Sequence, residues 1–335
     1  MRRAAPAILA GLIALTIAGV MAACGSSDDS TSATNSDTAA ETTEGSADSS
    51  GGGGALAVGF ASPTMQNPGA QEFAAALECV AEKTGGSVKV ADANVDVNKQ
   101  ISDFESMLTQ QLDGITLLAL DPRSFAGPLA KAAKDEIPVV ELFNPEGEAP
   151  GLVLQPGEEY GMEAAKAASE ALAGETLKAV VLDGPPVPNI AVIIAGFEKG
   201  ADKYGIEIVD SVNAKNSTPD IGRELTEQLL AGNPDVNIVF AFDEALAVGA
   251  GLAAQGASGE IVTYGVGASE ATIDAIEQGT VTGTYDVGAY EAGIKAWEML
   301  AELSEGGEPA PYTLPVVAYD QDNVAEWQPV SERGC

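Results

Sequence analysis

Asp92, Asn94 and Asp96 alternate along the chain as the first three calcium ligands of an EF-hand loop do. The match stops there. The sixth position needs Gly for the sharp turn and holds Val97, and the twelfth needs Glu and holds Asp103. No metal is therefore expected. The chain has no histidine, which excludes a Ser-His-Asp triad, a Cys-His pair and a His-ligated zinc site. Its cysteines are Cys24, Cys79 and Cys335, and no pair has the C-x-x-C spacing of a zinc ribbon or a thioredoxin motif. Gly249-Ala-Gly251 and Gly265-Val-Gly267 do not complete a dinucleotide fingerprint and read as close packing and a tight turn. The glycines at 51–54 follow no strand and precede no Lys, so they are no phosphate cradle. No nucleophile elbow occurs, and no cofactor is expected. A carboxylate-only glycosidase is the one catalytic chemistry these residue types leave open.

Fifty acidic residues stand against sixteen basic ones, a net charge of −34 in 335 residues. Phosphate binding needs Lys and Arg patches, so nucleic acid is excluded as a partner. The acidity reads as solubility, in keeping with a salty medium.

The first segment carries an address. Arg2 and Arg3 precede an uncharged apolar run over 4–23, and Cys24 follows. This is the pattern of a secretory signal. The run is also just long enough to be an uncleaved transmembrane anchor. Either way the basic end stays inside and the rest lies outside. Residues 25–54 are Ser, Thr, Asp, Glu, Ala and Gly without apolar periodicity, which predicts a disordered tether.

The remainder alternates strand and helix. Strands are expected at 56–61, 87–91, 114–119, 138–142, 152–154, 178–182, 207–212, 237–241, 261–264, 281–285 and 312–319. Helices are expected at 71–83, 98–110, 124–134, 159–173, 190–204, 221–231, 245–255, 270–278 and 289–303, with a polar tail over 320–335. Parallel strands joined by right-handed helical crossovers build α/β/α sandwiches, here two of them with a cleft between. Ligands of such sheets bind beyond the carboxyl ends of the strands, where the loop 62–67 falls.

Several stretches carry a resemblance. Met21-Ala-Ala-Cys24-Gly25 resembles a bacterial lipobox, with Met21 where Leu is commoner; this implies cleavage before Cys24 and a lipid on its thiol. The loop from Ser62 to Pro68, the run from Asp92 to Gln100, the pair Leu112-Asp-Gly-Ile115 and Ile137-Pro-Val-Val140, the stretches Leu229 to Asp235 and Ile238 to Ala250, and Ala275 to Gly279 follow in the order seen in type I periplasmic sugar-binding proteins, the ribose-binding-like receptors of ABC importers. The resemblance spans nearly the whole chain after the tether. LacI-type repressors share this core but carry a helix-turn-helix where this chain has a lipobox. The resemblance implies two doubly wound α/β domains joined by a three-strand hinge near 154–156, 285–287 and 313–315. Residues 1–23 are then a signal peptide and 24–54 a tether. The N-terminal domain takes 55–154 plus 287–312, and the C-terminal domain 155–286 plus 313–335.

The same comparison implies a cleft built from Asn67, Asp92, Phe143, Asn144, Asp243 and Asp286, beside the apolar run Ile190 to Ile194. The family's arginine falls on or near Ala191, its Asn-Asp pair becomes Asp243-Glu244, and its later Asp becomes Gly267. Asp243 reads either as a ligand contact or as a helix cap alone. Carboxylates without a matching Arg favour a neutral polyol or an amine over an anion. The expected function is solute capture for an ABC permease by a monomer that holds the outer face of a bacterial cytoplasmic membrane through the lipid on Cys24. A sensor subunit presenting its closed form to a membrane kinase is the alternative. Cysteine parity in an exported chain predicts a Cys79–Cys335 disulfide stapling the tail across the domain boundary; a buried thiol and a free terminal one are the alternative.

Overall fold

The computed structural model describes residues 55–185 and 187–335; the signal segment, Cys24 and the tether fall outside the described residues. Two six-stranded sheets organise the chain. The first contains β1 (Ala57–Ser62), β2 (Ser87–Asp92), β3 (Gly114–Leu117), β4 (Val139–Leu142), β5 (Gly151–Leu154) and β11 (Tyr312–Thr313), in the order β11-β5-β4-β3-β1-β2, all parallel. The second contains β6 (Lys178–Asp183), β7 (Glu207–Asn213), β8 (Ile238–Ala241), β9 (Val262–Val266), β10 (Gly283–Asp286) and β12 (Val317–Asp320), in the order β12-β10-β9-β8-β6-β7. Only its edge strand β12 runs antiparallel, against β10.

A central strand such as Ile238 to Ala241 is a continuous apolar run because helices cover both faces of its sheet. The first sheet is covered on one face by α1 (Pro68–Thr84) and α9 (Ala289–Ser304), which bury Phe73, Leu77 and Trp297 against β1, β4 and β5. Its other face takes α2 (Val97–Met107) and α3 (Ala126–Lys134) around Phe104, Phe125 and Ile115. The second sheet is covered by α4 (Glu158–Ala171) and α5 (Pro188–Tyr204) on one face, and by α6 (Pro219–Gly232) and α7 (Glu244–Ala254) on the other. Helix α8 (Glu270–Glu277) packs at its edge. Helices α4 and α5 touch backbone to backbone: a Cβ on Gly196 would stand 2.0 Å from the Glu158 carbonyl oxygen. The two doubly wound layers are the expected fold class.

The stretch expected as one strand over 312–319 is two. Tyr312 and Thr313 pair with β5 in the first sheet, and Val317 to Asp320 pair with β10 in the second. Leu314 still donates its N–H to the Leu154 carbonyl, but Pro315 has no N–H to continue a ladder, so the chain leaves one sheet there and joins the other.

The tail then crosses back. Val324 and Trp327 pack near Ile273 and Ile276 of α8. Beyond a short 3-10 turn at Val330–Glu332, the Arg333 guanidinium reaches Glu72 of α1 at 3.2 Å, both side chains 15% exposed, and the Tyr290 hydroxyl of α9 donates to the Arg333 carbonyl at 3.2 Å. Cys335 closes a disulfide with Cys79 of α1, at a Cα–Cα distance of 6.1 Å. The tail is thus a strap from the second sheet to the helices of the first. Replacing both cysteines (C79S/C335S) is expected to cost about 2–5 kcal/mol of unfolding free energy, read by urea denaturation under non-reducing conditions. A loss below about 0.5 kcal/mol would place the strap outside the stability of the fold.

Candidate functional site

The carboxyl ends of both sheets face one seam, and a cavity of about 350 Å³ lies there. Thr64, Asn67 and Phe143 line it from loops of the first sheet; Ile190, Asp243 and Glu244 line it from the second.

Local sequence explains how each polar group arrives. Pro68 occupies the first turn of α1, and the Asn67 side chain caps the helix, its Oδ1 accepting from Ala70 N at 3.2 Å. Its amide hydrogens meet no protein acceptor among the described residues. Asp243 caps α7 in the same way, Oδ1 accepting from Leu246 N at 2.9 Å. It is therefore both a cap and a wall of the cavity, and burial pushes its carboxyl above the usual range.

Asn144 and Asp92 serve their own loops. The Asn144 amide donates to Glu141 Oε1 at 2.9 Å, beside a second cavity of about 210 Å³. Asp92 Oδ1 accepts from Met65 N at 3.2 Å and Asn94 N at 2.8 Å, which ties the loops after β1 and β2 together. Asp286 ends β10 and accepts from Gly288 N at 2.8 Å; neither it nor Asp92 lines the main cavity. Phe143 does so in the left-handed region, at φ 58°.

Glu244 is the residue that sequence reasoning passed over. Part of it is exposed, but its carboxyl end lies directly over Gly267. A Cβ on Gly267 would fall 1.1 Å from Glu244 Oε2, and Gly267 adopts φ +115°, which L side chains rarely take. The chain has Gly where the resemblance expects Asp, and the Glu244 carboxyl fills that space. Burial, then the charges of Asp243, Glu72 and Asp286, push the Glu244 carboxyl up to about 8. No hydrogen bond to another residue satisfies it among the described residues. Gln155 and Asn189 add amides to the same wall. No arginine takes the place of the one missing near Ala191: Arg333 pairs with Glu72, and neither lines the cavity.

These carboxyls make stability depend on pH. Glu244 keeps its proton in the folded chain up to about pH 8 and loses it in the unfolded chain above its ordinary 4.5. Its contribution is complete below pH 4.5 and disappears as pH rises through 8. Burial raises Asp243, Asp286 and Glu72 in the same direction. The empty protein is expected to lose stability between pH 5 and 8, with Glu244→Gln removing on the order of 2 kcal/mol of that slope. Chemical denaturation across that range checks it, and identical profiles for the two proteins would refute it.

The wider comparisons agree with this geometry. Residues 58–308 match the family model described as the periplasmic binding protein domain. The ribose import binding protein of Bacillus subtilis is 26% identical over 233 residues, covering 68% of this chain and 74% of that protein. The D-xylose-binding periplasmic protein of Haemophilus influenzae is 28% identical over 277 residues, covering 73% of this chain and 80% of that protein. The crystal structure of a periplasmic ribose ABC transporter from Conexibacter woesei is similar with a TM-score of 0.73 at 25% identity, over 82% of this chain and 96% of that one. With its two sheets, its seam cavity and these relatives, the chain belongs to the type I periplasmic sugar-binding protein family.

Proposed function

We propose that this protein is an extracytoplasmic solute-binding lipoprotein of an ABC importer. It captures a small neutral or cationic solute in the seam cavity and passes it to a permease. The observation that carries this reading is the cavity itself, lined from both sheets beside the points where the chain passes between them. Those passages follow β5, follow β10 and lie between β11 and β12. Residues 55–154 plus 287–312 would move as one body and 155–286 plus 313–335 as the other, except that the end of the tail, tied to α1 through Cys79–Cys335 and Arg333–Glu72, would stay with the first, with ligand shifting an open–closed equilibrium.

The lipid on Cys24 would hold a monomer at the outer face of the bacterial cytoplasmic membrane. Support for export comes from the basic, apolar and lipobox order of residues 1–25 and from the Cys79–Cys335 disulfide, a bond characteristic of oxidising compartments. Among the described residues no helix is long and apolar enough to cross a membrane.

Recognition would rest on Asn67, Phe143 and Asp243, with Gln155, Asn189 and Glu244 as further contacts. Asp92, Asn144 and Asp286 would act by holding the surrounding loops. With carboxyls on its wall and no Lys or Arg, the cavity offers an anion no opposite charge to offset the loss of water on closure. Mass spectrometry of the solute that copurifies with the protein should therefore return a neutral or cationic compound. Adding that compound should shrink the radius of gyration in small-angle scattering without altering the circular dichroism, and Asp243→Asn should weaken its binding about tenfold. An anionic solute, or saturation without compaction, would contradict the reading.

A further inference from the structure

The wall of the seam cavity is largely apolar. Leu118, Leu120, Leu142, Ile193, Phe242 and Val266 cover much of it. A pyranose or furanose presents hydroxyls around its whole rim, and each one buried without a partner lowers affinity. Thr64, Asn67, Gln155 and Asn189 add neutral polar groups and Asp243 and Glu244 add carboxyls, and the half-buried Glu244 carboxyl has no hydrogen-bond partner from another residue among those described.

Two further residues mark the apolar part. Five non-glycine residues among those described adopt positive φ: Asn94, Val95, Gln111, Glu136 and Phe143. Asn tolerates that region, and Gln111 and Glu136 lie in the turns that follow helices α2 and α3. Val95 (φ 62°) and Phe143 (φ 58°) are the two apolar ones, and both line this cavity. A β-branched residue in the left-handed region is a genuine outlier. Val95 is also 67% exposed, the most exposed large apolar side chain described. The fold holds it at the mouth of the cleft at a cost in backbone strain and solvation that a ligand or the closing lobe would offset.

We propose that the cleft receives a small organic ammonium with an apolar body, its charge at Asp243 and Glu244 and its body against Val95 and Phe143. This rests on the solute-capture reading above and narrows its ligand class. A cation offsets the carboxyls of the cavity, which a neutral solute does only by donating hydrogen bonds, and the apolar part of the wall asks for no hydroxyls.

The groups facing Glu244 are Asp243 beside it, Glu72 on α1 and Asp286 at the end of β10, with Arg333 of the tail already paired to Glu72. Glu244 holds its proton up to about pH 8, so an ammonium that needs the ionised carboxylate must displace that proton. Binding at pH 7 should release close to one proton.

Isothermal titration of the full chain with cyclohexylamine, cyclohexanol, cyclohexanecarboxylate and D-ribose, each in two buffers of different ionisation enthalpy, tests this. Cyclohexylamine is expected to bind at least tenfold more tightly than cyclohexanol, with proton release at pH 7, and cyclohexanecarboxylate not to bind. Glu244→Gln should lower the amine's affinity at least tenfold and abolish the proton release. Val95→Gly should weaken the amine while leaving the empty protein at least as stable, because Gly relieves the strained φ. Tighter binding of D-ribose without proton exchange would overturn the ammonium and leave solute capture standing. Binding by none of the four would also overturn it, and solute capture would then be decided by the copurified compound.

Discussion

Parallel strands can be joined only by crossovers, and this constraint brings the chemistry together. Each crossover returns the chain to the amino end of the next strand, so the loops at the carboxyl ends are free to vary. In this chain both sheets turn those loops to one seam. The side chains that arrive there are mostly apolar, with carboxyls and amides among them. Elsewhere on the surface an acidic excess is screened by water and salt. At the seam burial removes that screening, and it is the leading cause of the raised Asp243, Glu244 and Asp286 carboxyls. Glu244 in the empty cleft therefore holds a proton to a higher pH than an ordinary surface carboxyl does.

Much of the fold was legible in the sequence. Period-2 and period-3.6 apolar patterns marked the strands and helices, since each buries a face against a neighbouring layer. The strand expected over 312–319 failed because the same apolar residues serve two sheets; only Pro315 signalled the break. The tail read as polar, yet Val324, Trp327 and Arg333 dock it, through contacts with α8, Glu72 and Tyr290 that lie far away in sequence.

The site was legible in part. Asn67 and Asp243 stood out through the resemblance, and Asp243 also because a capping residue at a strand's carboxyl end faces the seam. Glu244 did not, because its placement depends on a void left at Gly267, twenty-three positions later, and no local pattern encodes a void. Val95 and Phe143 were equally hidden in their conformation: their positive φ is imposed by tertiary contacts such as Val95 N to the Pro63 carbonyl and Phe143 N to the Val153 carbonyl. Asp92 and Asn144 show the opposite case. Their residue types suit a ligand, but nearby backbone and side-chain groups already engage them.

The central claim is that an unpartnered, half-buried carboxyl sits in a seam cavity with no cation on its wall. The most direct measurement is a carboxyl carbon-13 NMR titration of the empty protein, with the Glu244 resonance assigned by its loss in Glu244→Gln. A midpoint near 8 is the predicted result. A midpoint near the ordinary 4.5 would contradict it, because the carboxyl would then be solvated and the cleft would present an ordinary acidic surface.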